Sequence, residues 1–218
     1  MNPIEFWFDF SSGYAFFAAQ EIDALSSRVG RAVLWRPYML GTAYKVTGAR
    51  GLSSTPLKRD YARRDWARIA EPRGLSFHLP PEHPRVALAA TRAFYWIETQ
   101  NPDAASGFAK RIFEGYFSEG LDTSSPEAVA AFALEFGCKP EDLLAGIMDP
   151  VIKARTTELA EDAVARGVFG SPFFLVDGEP FWGWDRMGMM EDWIGAAGCQ
   201  PLFSSARLSR TMRRGWPS

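Results

Sequence analysis

The chain has few of the residues from which metal and thiol chemistry is built: two cysteines and two histidines among 218 residues. Cys138 and Cys199 stand far apart and neither belongs to a C-x-x-C pair, which excludes a local dithiol redox centre and a disulfide framework. His78 and His83 share one proline-rich stretch, HLPPEHP, without Cys or His partners at ligand spacing, so no metal site is expected. An excess of one charge is missing as well. Lys+Arg 24 against Asp+Glu 26 leaves a formal net charge of −2, without the positive field that drives sequence-independent binding to nucleic acid. No repeat is visible. The start, MNPIEFWFDF, carries Glu5 and Asp9 where a secretion signal has basic residues before an unbroken apolar run, which points to a cytoplasmic protein with no membrane partner.

What is present is an ordinary globular composition, 47% hydrophobic and 23% charged, in a length suited to one domain or one domain carrying an insertion. Ile4 to Phe10 reads as a buried strand that stops at Ser11-Ser12-Gly13, and Tyr14 to Leu25 has the stripe of an amphipathic helix. Ala32 to Trp35 supplies a second strand, parallel to the first across the helix. The following stretch, to about Arg166, has helical patterns and no convincing strand. Helices are expected at Leu57 to Ala70, capped from Ser54-Thr55-Pro56, and near Val86 to Thr99, Asp103 to Phe117, Glu127 to Phe136, Glu141 to Ile147 and Pro150 to Arg166. Pro172 to Val176, the turn Asp177-Gly178 and Pro180 to Trp184 form a hairpin, followed by a helix from Asp185 to about Ala197.

This order is the wiring of an α/β, thioredoxin-like mixed sheet with a helical domain inserted between the second and third strands. Residues 1–42 and 165–200 would form the discontinuous sheet domain, 43–164 the insertion, and 201–218 a basic tail carrying Arg207, Arg210, Arg213 and Arg214.

Four runs, FWFDFSSGYAFFAA, the TG pair in LGTAYKVTGARG, GVFGSPFF and VDGEPFWGWDRM, resemble the 2-hydroxychromene-2-carboxylate isomerases and the related kappa-class glutathione transferases, through about Ile194. The resemblance implies glutathione as cofactor. At the position matching Ser12 these families place a serine that holds the glutathione sulfur as thiolate, aided by the helix start. Ser11 or Ser12 can equally cap that helix, and one side chain can do both. Ser171, before Pro172, matches the residue whose backbone pairs with the cysteinyl unit, in a context that favours a cis peptide. Gly183, Trp184, Asp185 and Arg186 match the segment that receives the γ-glutamyl end; Asp185 is also a natural helix cap, and Arg186 is expected to support the loop.

Lys45 is the leading residue for a substrate carboxylate, in a loop after the second strand, within a basic run that includes Arg50, Lys58, Arg59, Arg63 and Arg64. Tyr38 joins Lys45 as a substrate-binding candidate, and with His83, Tyr44 and Trp66 it is one of four aromatics that can line a pocket or belong to the core. Gly13 stands where the families usually have proline, and Ala49 and, approximately, Ala87 stand where the isomerases have asparagines that help form the substrate pocket. The expected activity is glutathione-dependent isomerisation of a conjugated aromatic keto acid. Net glutathione conjugation and a non-catalytic binding module are the alternatives, and a homodimer is expected from the behaviour of related folds.

Overall fold

The computed structural model describes residues 1–196. The expected tail and residues 197–200 of the sheet domain lie outside them. Strand β1, Ile4–Phe8, alternates nothing: four of its five residues are buried, as a strand covered on both faces requires. It pairs in parallel with β2, Val33–Pro37, in the register Ile4 with Val33 through Phe8 with Pro37. On its other side lies antiparallel β3, Phe173–Val176, which continues through the hairpin into β4, Glu179–Trp182. The sheet order is β2-β1-β3-β4. Pro37 is tolerated because β2 is an edge strand. Asp177 and Gly178, at φ 53° and 87°, make the tight turn, and buried Arg31 donates to the Asp177 carboxylate at 2.6 Å.

Helix α1, Gly13–Val29, joins β1 to β2 and starts one residue earlier than its apolar stripe. Between β2 and β3 run α2, Leu40–Thr47; α3, Lys58–Ala70; α4, Leu88–Gln100; α5, Ala105–Glu114; α6, Pro126–Ala130; α7, Pro140–Met148; and α8, Pro150–Ala165. Helix α9, Met187–Ala196, follows β4. Several expectations are corrected. The segment after β2 is a helix and not a loop, because the Asp9 carboxylate accepts from Leu40 N–H at 3.1 Å and fixes its first turn. No side chain caps α3: Leu57, at φ 65°, precedes it, and Thr55 Oγ1 donates back to the Gly51 carbonyl at 2.9 Å. The single helix expected over Glu127 to Phe136 is α6 followed by a 3-10 turn at Ala133–Phe136. Helix α5 ends at Glu114 and passes into a π-helical turn, Gly115–Glu119.

The core joins both regions. Phe6, Phe8 and Phe10 from the first strand and its extension meet Phe174, Phe94 and Phe113, while Phe16 and Phe17 of α1 meet Phe77 and Phe117 of the insertion. Strand directions then decide where a site can form. The C-terminal ends of β1, β2 and β4 and the N-terminal end of β3 lie at one end of the sheet, so Ser11–Gly13, Leu40, Ser171-Pro172 and Gly183 converge there.

Candidate active site

The convergence is held by hydrogen bonds. Ser12 Oγ donates to the Ser171 carbonyl at 2.7 Å and accepts from Ala15 N–H at 3.3 Å, so it is the N-cap of α1 and the link to the loop before β3. The Ser171–Pro172 peptide is cis. Ser171 Oγ accepts from Asp9 N–H at 2.8 Å, and Gly183 N–H donates to the Pro172 carbonyl at 3.1 Å. Ser12, Ser171, Pro172 and Gly183 therefore form one continuous patch. Among the described residues the Ser171 N–H has no acceptor.

Asp9 carries no function in the sequence reading, where it is only a polar interruption of the first strand. In the fold it is 6% exposed. Its Oδ1 accepts from Ser11 N–H at 2.9 Å and from Ser11 Oγ at 2.7 Å, and its Oδ2 accepts from Leu40 N–H. Burial raises its carboxyl above the ordinary aspartate range against the pull of those donors. Ser11 thus spends its proton on Asp9, which leaves Ser12 as the hydroxyl of the helix start. An acidic residue inside an otherwise apolar strand was the available signal.

Gly13 has a steric reason. A β-carbon there would lie 2.9 Å from the Trp66 indole, so the missing side chain lets α3 close directly over the start of α1. Trp66 is buried, and its Nε1 has no partner among the described residues. Tyr14, the next residue, donates to Asp65 at 2.7 Å, and burial pushes its phenol pKa above the usual range.

Gly183, at φ 111°, permits the Asp185 carboxylate to fold back over it, with Oδ1 2.5 Å from where a β-carbon would sit. Asp185 does not cap the last helix. It lies in a 3-10 turn, Trp184–Arg186, whose N-cap position is Gly183, and its largely exposed carboxylate pairs with Arg186 at 3.3 Å. Trp184 packs near Phe17 under the Arg73 guanidinium.

Tyr38 is corrected from pocket wall to core. It is fully buried, and its hydroxyl donates to the Gly170 carbonyl at 2.8 Å, tying the end of β2 to the loop before Ser171. Lys45 stands exposed on α2, with no ion pair among the described residues. Tyr44, beside it, is half-buried, and burial, then the charge of Asp9, raises its pKa. His83 joins the same neighbourhood: its ring meets Trp66 edge-on at 5.8 Å, and burial, then the charge of Arg63, lowers its pKa to about 4. Ala49 is exposed and Ala87 buried. Among the described residues no group of three or more His, Cys, Asp or Glu could hold a metal ion, and no helix is long and apolar enough to cross a membrane.

The profile of the DSBA-like thioredoxin domain matches residues 3–195. The chain belongs to that family. Within it, the chain is 24% identical over 195 residues to a 2-hydroxychromene-2-carboxylate isomerase of Sphingobium xenophagum, covering 88% of this chain and 98% of the relative. A solved 2-hydroxychromene-2-carboxylate isomerase superposes with a TM-score of 0.79 at 23% identity, over 89% of this chain and 95% of that one. The cytosolic disulfide reductase DsbM of Pseudomonas aeruginosa, solved with GSH, superposes at 0.62 with 14% identity, over 90% and 97%. The thioredoxin-like sheet with helices between its second and third strands is therefore the fold of this DSBA-like chain.

Proposed function

We propose that this DSBA-like chain is a glutathione-dependent isomerase of the 2-hydroxychromene-2-carboxylate type. The observation that carries the reading is the Ser12 hydroxyl, held between the start of α1 and the carbonyl preceding cis-Pro172. When bound, glutathione would supply a thiolate that adds reversibly to a conjugated carbon, allowing the former double bond to rotate before the sulfur leaves.

The chain's residues fit such a tripeptide. Ser12 has one proton, so it can serve either the Ser171 carbonyl or a sulfur anion; turning toward the sulfur frees that carbonyl to accept the ligand's own N–H. The partnerless Ser171 N–H offers the matching donor, as in strand addition. The exposed Asp185 carboxylate can receive an ammonium at the end of the same patch. The positive end of α1, whose first turn holds no acid, favours an ionised over a neutral thiol. Of the basic run, Lys45 on α2 and Arg63, three residues before Trp66 on α3, are assigned to a substrate carboxylate.

The isomerase relatives and the fold neighbour with GSH support this reading. Incubation with 2-hydroxychromene-2-carboxylate and substoichiometric glutathione tests it. Isomerised product with free glutathione recovered is the expected result; consumption of one glutathione per product would establish conjugation instead. The alanines at 49 and 87, which present no side-chain amide to a substrate, favour that second reading.

A further inference from the structure

His83 is bonded on both ring nitrogens. Nε2 lies 2.8 Å from Ser53 Oγ and Nδ1 lies 2.9 Å from Tyr116 Oη, which also accepts from Arg85 N–H at 3.1 Å. Ser53, on the 3-10 turn between α2 and α3, is half-buried, whereas Tyr116 is fully buried within the π-helical turn after α5. Such π-turns recur at functional sites because they redirect a side chain out of the helical repeat.

The direction of these bonds follows from where an unpaired proton can be tolerated. If His83 carried its proton on Nδ1, the Tyr116 O–H would be left without an acceptor in the core, which a buried hydroxyl does not tolerate cheaply. With the proton on Nε2, Tyr116 donates to Nδ1, Nε2–H donates to Ser53 Oγ, and the loose proton falls on half-buried Ser53. The lowered His83 pKa keeps the ring neutral, as this chain of donors needs. Ser53 then holds a polarised O–H that has no acceptor among the described residues.

The relay reaches the Ser11–Gly13 turn from its middle member, His83, through one aromatic ring. On one side His83 touches Trp66, which lies against Gly13. On the other, Gly51, two residues before Ser53, has the Tyr44 hydroxyl 3.7 Å from where its β-carbon would be. Neither the alanine side chain at 49 nor the one at 87 can donate to a substrate oxygen.

We infer that Ser53, polarised through His83 and Tyr116, is the hydrogen-bond donor to the substrate carbonyl oxygen that gains charge during isomerisation. The inference rests on the isomerase reading. As the sulfur–carbon bond forms, the π pair of the substrate double bond moves through the conjugated system onto that oxygen; return of the pair re-forms the double bond and expels the sulfur. Ser53 keeps its proton throughout and supplies only the bond to the charged oxygen, while His83 and Tyr116 are positioning residues.

Two measurements on the full chain test this. In protein labelled with 15N-histidine, nitrogen shifts are expected to show His83 protonated on Nε2 and bare on Nδ1, and Tyr116→Phe is expected to shift that tautomer. Steady-state kinetics with 2-hydroxychromene-2-carboxylate are expected to show kcat reduced about 10²-fold in Ser53→Ala, largely retained in Ser53→Thr, and reduced in His83→Phe. Thiolate absorbance of bound glutathione should be unchanged in all three, which also reports that they are folded. An Nδ1-protonated ring overturns the relay, as does full activity of Ser53→Ala beside an active wild type. A wild type that binds no glutathione or leaves this substrate unchanged overturns the underlying reading, and the Ser53 assignment with it.

Discussion

The Ser12 hydroxyl gives its proton to the Ser171 carbonyl, 2.7 Å away, and offers its lone pair to Ala15 N–H, so one side chain joins a helix start to the loop before β3. The two duties use different parts of the same group. Ser12→Ala should therefore lose an N-cap, worth about 1 kcal/mol, and lower the unfolding midpoint accordingly. Equilibrium denaturation checks this; an unchanged midpoint would mean that the cap contributes nothing.

Gly13 and Trp66 form a coupled pair. Gly13→Ala puts a carbon 2.9 Å from a buried indole, and overpacking of this kind costs roughly 1–3 kcal/mol. Adding Trp66→Leu should recover part of that loss, because the clash disappears with the indole. A thermodynamic cycle of the four proteins would show strong non-additivity; simple addition would mean that the helices separate freely.

Asp9 predicts a pH signature. Desolvation by burial raises its folded-state carboxyl pKa above 3.8, so the native chain retains a proton that the unfolded chain releases. Its contribution to stability is then greatest below 3.8 and is lost as pH rises through the folded value. Asp9→Asn has no such titration. Wild-type stability should therefore gain on that of the variant as pH falls through this window, measured by denaturant unfolding at each pH. A constant difference would contradict the raised carboxyl.

Arg63 and Lys45 compete for the substrate carboxylate. Arg63 sits one turn before Trp66 on α3 and bears on His83, whereas Lys45 points from α2 without a recorded partner among the described residues. Arg63→Ala should raise KM roughly two- to fivefold, as expected for an exposed ion pair, with a smaller effect from Lys45→Ala and kcat little changed in either. The reverse order would return the role to Lys45.

The strands, the Asp177-Gly178 turn and most insertion helices were legible because each is written in a local pattern: an apolar run, a turn dipeptide, a proline at a helix start. Helix α2 was not, since LGTAYKVT holds glycine and β-branched residues of weak propensity and its first turn depends on the distant Asp9 carboxylate. Ser12, Ser171 and Asp185 could be named from motif resemblance. The contacts around them could not. Trp66 meets Gly13 across α3 and α1, and His83 finds Ser53 and Tyr116 from a proline-rich segment that reads as a connection. Tyr38 was misread because nothing local shows that its hydroxyl ends on the Gly170 carbonyl.

The central claim is that Ser12 stabilises a bound thiolate, and its most direct test is titration of the protein with glutathione while following heat and ultraviolet thiolate absorbance, repeated with Ser12→Ala. The account predicts saturable binding by the wild type with glutathione ionised well below the ordinary thiol pKa of about 8.5, and loss of the thiolate signal in the variant. Saturable binding with the same thiolate signal in both proteins, or no binding at all, would contradict it.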